Sequence, residues 1–337
     1  MSTNNNNKMC SSKSSKASSI SSSWFYFIAI LLPLLLILYS QLLRSTIAPP
    51  PSDHGTGSMF DIIATRYDFI NRALALNLDM GWRHRLVAEV VGSNGELFTK
   101  SQEDVKLLDL ATGTADVAIL LGKAAAKYSS SSSAITINSA VLGLDPSQNM
   151  LNVGKTKVQE SDLTNIVTLE LGDARKLNAL QDDTIDAATM SFGIRNVPEK
   201  EQALCEINRV LKKGRMDKGW PASPQLAIME FSEPGEDSGV MGSMARAFIR
   251  HVIPSMGALL SGAPREYMHL QKSIQEFPSP PEFVKLIEGV KCPIKSAEDD
   301  GEVQIFGRFR VKEVVNLNFG SVQIYLATPY LNKYVRE

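Results

Sequence analysis

Leu107-Leu108-Asp109-Leu110-Ala111-Thr112-Gly113-Thr114-Ala115-Asp116 constrains this chain more than any other stretch. An apolar run ends in a carboxylate, passes a tight turn holding one glycine, and continues into the helix-compatible Val117-Ala118-Ile119-Leu120. Strand, turn and helix in that order place a ligand at the carboxyl end of a parallel strand. Gly113, lacking a Cβ, lets the backbone approach that ligand closely. A dinucleotide would require G-x-G-x-x-G, so that a helix amino terminus can receive pyrophosphate. With Thr112, Thr114 and Ala115 around one glycine, a ligand without phosphates fits better, and a nicotinamide dehydrogenase is disfavoured.

Apolar runs recur as candidate strands at Val105–Leu110, Ala140–Leu144, Ile166–Leu171, Ile185–Met190 and Leu226–Phe231, with Val322–Leu326 as a late edge strand. Helical patterns alternate with them, which predicts an α/β fold with a doubly wound, mostly parallel sheet. One helix is clear from Ala203, Leu204, Ile207, Val210 and Leu211 on a common face, with Pro198 at its start and Gly214 as its stop. Ser129–Ser133, Arg215–Gln225 and Lys291–Gly307 read as three loop excursions. Lys and Arg (35) balance Asp and Glu (36), so no basic field argues for nucleic acid. Cys10, Cys205 and Cys292 imply neither a disulfide framework nor a zinc knuckle, and the four histidines form no metal pair.

The amino terminus is a different kind of sequence. Residues 1–58 read as a targeting or membrane segment with a linker, and residues 59–337 as the catalytic domain. Met1–Ser23 is rich in Asn, Ser and Lys, and Trp24–Tyr39 is almost wholly apolar. Extended to Leu43, that run is long enough to span a bilayer as a helix. Trp24, Tyr26 and Tyr39 stand near its ends, where interfacial aromatics belong. A membrane anchor, a cleaved secretory-type signal and a mitochondrial presequence all remain open. Pro49-Pro50-Pro51 then marks the linker.

Further chemistry-bearing residues fall at strand ends. Asp145 closes the second strand, where a carboxylate can accept from ribose hydroxyls or cap the next helix. Asp173-Ala174 follows the third strand and Ser191 ends the fourth, directly before Phe192-Gly193-Ile194-Arg195-Asn196. Together with Phe60-Asp61-Ile62-Ile63-Ala64-Thr65-Arg66-Tyr67-Asp68-Phe69-Ile70-Asn71, Trp82-Arg83, Arg209-Val210-Leu211-Lys212, Glu230-Phe231-Ser232 and Ser273-Ile274-x-x-Phe277-Pro278, these elements resemble the UbiE/Coq5 family of quinone-ring C-methyltransferases. The resemblance runs from Met59 to the carboxyl terminus. The GIRN block and the YD element are the family-specific parts. This turn has fewer glycines than the family's usual one.

The resemblance implies the class I S-adenosylmethionine-dependent fold, with S-adenosyl-L-methionine as cofactor and no metal. The strand–turn pattern puts Asp109 and Gly113 at the cofactor, and the resemblance adds Thr114, Asp145, Asp173, Ala174 and Ser191. Arg195, Asn196 and Tyr67 would be catalytic: Arg195 stabilising a phenolate or positioning a water, Asn196 fixing that water or a ring oxygen, and Tyr67 bonding ring substituents. Blander readings stand beside these. Arg195 would instead pair with Asp186 or another local carboxylate, Asn196 would cap a helix, and Tyr67 would pack in the core. Arg83 and Arg265 are further candidates on the substrate side.

The implied substrate is a polyprenylated benzoquinol of ubiquinone biosynthesis. Rivals are a demethylmenaquinol or demethylphylloquinol acceptor and a catalytically silent scaffold. The implied setting is the matrix side of the mitochondrial inner membrane, with other quinone-biosynthesis proteins as partners; a plastid or another membrane is the alternative. So apolar a substrate requires an apolar surface. The stretch Phe248, Ile249, Val252, Ile253, Met256, Leu259 and Leu260 reads either as that surface or as core.

Overall fold

The computed structural model describes residues 57–99, 104–129, 139–213, 225–235, 238–261, 264–294 and 303–335, with a few helical positions between 35 and 42. The rest of the apolar amino-terminal segment, most of the Ser129–Ser133 run and most of the Arg215–Gln225 excursion lie outside the described residues. Among the described residues no helix is long and apolar enough to cross a membrane.

Among the described residues, eight strands form one sheet: β1 (Leu107–Leu110), β2 (Val141–Asp145), β3 (Val167–Leu171), β4 (Ala187–Ser191), β5 (Leu226–Phe231), β6 (Cys292–Pro293), β7 (Val303–Leu317) and β8 (Val322–Val335). Their order is β3-β2-β1-β4-β5-β8-β7-β6. The first five pair in parallel and the last three antiparallel. The parallel strands are near-continuous apolar runs because helices cover both faces. Side chains alternate between those faces. On β5, Ala227 and Met229 join one core, and Leu226 and Ile228 the other.

Against the first face pack α1 (Ser58–Leu74, through its neighbours), α2 (Asp79–Val91), the short α3 (Glu96–Thr99), α4 (Asp116–Ser129) and α5 (Gln148–Glu160). The second face is covered by α6 (Lys200–Val210) and α10 (Pro280–Gly289). Between them in sequence, α7 (Gly239–Ala247), a π turn (Phe248–Val252), α8 (Ile253–Ser261) and α9 (Pro264–Glu276) make a helical cover. Its core joins Ile70 and Leu74 of α1 to Ile249, Ile253 and Ile274.

The five parallel strands and the apolar face of α6 agree with the sequence; Ala203, Leu204, Ile207, Val210 and Leu211 are all fully buried. Three expectations are corrected. First, β8 runs to Val335 and lies between β5 and β7, so it is not an edge. Second, the supposed loop Lys291–Gly307 contains β6 and the start of β7. The sequence conceals β7 because Arg310, Lys312 and Glu313 are exposed and charged and a bulge between Val311 and Glu313 breaks its two-residue period. Third, Cys205 on α6 and Cys292 on β6 form a disulfide across 87 residues. Cysteine spacing cannot reveal which distant elements pack side by side.

Candidate active site

The turn from β1 to α4 is built from left-handed backbone. Ala111, Gly113 and Ala115 have φ of +50°, +56° and +68°. Gly113 adopts this freely, whereas each alanine costs about 1–2 kcal/mol. Hydrogen bonds hold the shape, from Thr112 N to Leu144 O and from Ala115 N to Thr112 O. A Cβ added at Gly113 would meet nothing within 4 Å, so the turn faces open space. Gly193 is required for the opposite reason: a Cβ there would lie 2.4 Å from that of Ala111.

Asp109 does not end its strand, which continues to Leu110. Its carboxylate is 1% exposed and accepts from Thr112 Oγ1 (2.6 Å) and Thr189 Oγ1 (2.7 Å). It therefore ties β1 to its turn and to β4, and it is absent from the cleft wall. Burial pushes its carboxyl up from 3.8 to about 6, against the pull of the two hydroxyls. Protons are thus bound more tightly by the folded chain, and between pH 4 and 6 rising pH lowers stability through this group. Asp109→Asn is expected to flatten that part of a urea-denaturation pH series; an unchanged slope would mean the carboxylate titrates as in the unfolded chain.

Asp145 accepts from Gly113 N and Ser147 N, both at 2.8 Å. The cap of α5 is Ser147, whose Oγ accepts from Met150 N. Asp145 instead lines a cleft of about 80 Å³ with Gly113, Asp173, Ala174 and Ser191. Burial raises its carboxyl to about 6 despite the two amides. Asp173 is held by Arg175, and Ser191 Oγ is buried without a hydrogen-bond partner. The open space above Gly113 and this orphaned hydroxyl suit a polar ligand. Thr114 does not line the cleft: its Oγ1 donates to Asp68 at 2.7 Å and lies 3.1 Å from Lys157 Nζ.

The YD element thus has a use that sequence reasoning missed. Asp68 and Asp116 share Lys157, and Asp116 also pairs with Arg72 and Arg83, locking α1 and α2 onto α4 and α5. Burial works against ionising Asp116, yet Lys157 and Arg83 outweigh it and hold its carboxyl low. No local signal marks these residues, which come from four elements.

Beside the cleft lies a larger cavity of about 320 Å³, and Phe60, Tyr67, Phe192 and Asn196 line both. Its wall is aromatic. Phe192 stacks on Phe231 at 4.3 Å, and Trp82 meets both rings edge-on at 6.2 Å. Arg195 lines it too, and its partner is Glu230 (2.5 Å), 35 residues away, not Asp186, which takes Lys212 and the amide of Lys106. The Arg195 and Glu230 side chains are 4% and 0% exposed. Asn196 Oδ1 lies 3.3 Å from Nε2 of buried His269, a cavity residue that the sequence reading passed over. Tyr67 is pushed up by burial, which outweighs the nearby Arg195 and Arg83. The side chain of Arg265 is exposed and not in this wall, whereas that of Arg83 is.

Residues 52–297 match the model of the ubiE/COQ5 methyltransferase family. The chain belongs to this family. It is 33% identical to a demethylmenaquinone methyltransferase of Deinococcus radiodurans over 229 residues, covering 68% of this chain and 81% of that one. It is 34% identical to the ubiquinone/menaquinone biosynthesis C-methyltransferase UbiE of Geobacter sulfurreducens over 234 residues, 69% and 78% of the two chains. A solved S-adenosylmethionine-dependent methyltransferase from Aquifex aeolicus overlaps it with a TM-score of 0.40 at 19% identity, over 70% of this chain and 88% of that one. This family member is an S-adenosylmethionine-dependent methyltransferase of quinone biosynthesis with the class I α/β fold.

Proposed function

We propose that the enzyme methylates a ring carbon of a reduced, polyprenylated benzoquinone in the ubiquinone branch. The junction carries this reading: the cleft and the aromatic cavity share Tyr67, Phe192 and Asn196. A cofactor in the cleft and a planar ring in the cavity would then meet there. Bound S-adenosylmethionine supplies an electrophilic methyl group. Gly113, Asp145, Asp173, Ala174 and Ser191 are the residues that would hold it.

The ring carbon must be nucleophilic, which a hydroquinol achieves as its hydroxyl loses a proton. The cofactor would supply its methyl group to that carbon in exchange for the ring-carbon proton, whose loss to solvent would restore the aromatic ring. Arg195 stays charged and fixed on Glu230, so its part is to stabilise the developing phenolate rather than accept a proton. Its Nε is buried without a hydrogen-bond partner, so a ring oxygen brought to it would satisfy it. Asn196 and Tyr67 orient the ring, and the aromatic wall excludes water.

The cavity opens through Leu76, Leu78, Met241, Met244 and Phe319, all exposed. Most of the Phe248–Leu260 stretch is core around Ile249 and Ile253, so this rim is the better membrane-facing surface. We place the enzyme on the mitochondrial inner membrane, matrix side, beside other quinone-biosynthesis proteins. The apolar amino-terminal segment and the family resemblance support that placement. Met244→Asp with Phe319→Asp should weaken binding to phospholipid vesicles and raise KM for long-chain acceptors. A short-chain acceptor should keep its KM; equal effects on both would remove the rim from substrate entry.

A naphthoquinol acceptor is the second reading, favoured by the name of the Deinococcus relative. The test offers a reduced short-chain 2-methoxy-6-prenyl benzoquinol and a demethylmenaquinol with labelled S-adenosylmethionine. Label in the benzoquinol ring carbon supports the first reading. Label only in the naphthoquinol replaces it.

A further inference from the structure

Asp79 opens α2 in the wall of the aromatic cavity and is 3% exposed. Arg72 and Arg83 both donate to its Oδ2. Its Oδ1 is buried and has no hydrogen-bond partner. A buried acceptor without a donor costs free energy, so the wall favours any ligand that brings a donor to it. Both arginines sit on Oδ2, so Oδ1 is the carboxylate oxygen left to accept from a ligand. Arg195 Nε, which also lies in this wall without a hydrogen-bond partner, only donates.

We infer that Asp79 makes the cavity select the hydroxyl-bearing, reduced ring over its oxidised quinone. The inference rests on the reading of the cavity as a quinol site. A hydroquinol satisfies both orphans, donating a hydroxyl hydrogen to Asp79 Oδ1 and offering an oxygen to Arg195 Nε. A quinone brings two carbonyl acceptors and no donor, so one of them faces a carboxylate or neither reaches it. Selection at this step matters chemically. The quinone ring is electron-poor and cannot attack a sulfonium methyl, so a bound quinone would only block the site. Asp79 is therefore a specificity residue for the oxidation state of the acceptor, distinct from the groups that orient the methyl transfer.

The test measures dissociation constants anaerobically by calorimetry on the full-length protein. The probes are a short-chain 2-methoxy-6-prenyl benzoquinol, its quinone and its dimethyl ether. The unsubstituted protein should bind the quinol about tenfold to a hundredfold more tightly than the other two, the scale of one hydrogen bond to a charged group. In Asp79→Asn the amide oxygen takes over the arginines and the NH2 turns to the cavity. The preference should then collapse or reverse toward the quinone, with S-adenosylmethionine affinity unchanged. A merely structural residue would weaken all three probes in proportion; that result overturns the inference. If Asp79→Asn fails to fold, the unsubstituted protein decides: a dimethyl ether bound as tightly as the quinol overturns the inference without any variant. If no probe binds while the cofactor does, the quinol reading itself falls.

Discussion

Arg195→Ala is expected to lower turnover by about 10²–10³ while leaving S-adenosylmethionine affinity nearly unchanged, the size of loss seen when one donor to a developing oxyanion is removed. It should also cost ~3–5 kcal/mol of stability, because fully buried Glu230 then loses its direct ion-pair partner. The two effects can be separated. In Arg195→Met/Glu230→Leu both charges are gone and apolar groups fill their volume. Urea denaturation should then show roughly half or more of the lost stability restored. Turnover should stay low. Recovery of turnover along with stability would show that Arg195 acts only as a structural partner of Glu230.

Asp145→Ala is expected to weaken S-adenosylmethionine binding by about 10–100-fold, since hydrogen bonds to a charged group contribute ~1.5–3 kcal/mol. The loss has two sources. The carboxylate itself would be missing from the cleft, and Gly113 N and Ser147 N would lose the acceptor that fixes the turn. Calorimetric titration with S-adenosylmethionine checks this, and Asp145→Asn should lie between the two, because an amide oxygen can keep only one of those bonds strongly. Cofactor affinity unchanged in Asp145→Ala would remove the residue from the site.

The parts of the site made by one continuous segment were legible beforehand. Gly113 stands where an open, left-handed turn needs it, and Asp145 and Ser191 end their strands at the cleft. Tyr67, Arg195 and Asn196 were recognised through the family blocks, and all three line the aromatic cavity. The sequence assigns Asp109 and Thr114 to the cofactor, yet their side chains turn inward to Thr189 and Asp68. The pattern around Gly113 marks the turn; which way a polar side chain beside it points depends on partners 46 and 80 residues away.

Local physics reached as far as the chain's own periodicities. Apolar runs of four to six residues between polar breaks determine five parallel strands, and the spacing of Ala203, Leu204 and Ile207 determines the buried face of α6. Those patterns reflect burial of a segment's own side chains, a property each segment carries with it. Which distant groups meet is decided only when the sheet closes. Adjacent β4 and β5 bring Arg195 to Glu230, and packing of α6 against β6 brings Cys205 to Cys292. The docking of α1 and α2 on α4 gathers Arg72, Asp79, Arg83 and Asp116. Charges removed from water must find partners wherever the fold supplies them, and nothing in the local sequence of either partner says which it will be.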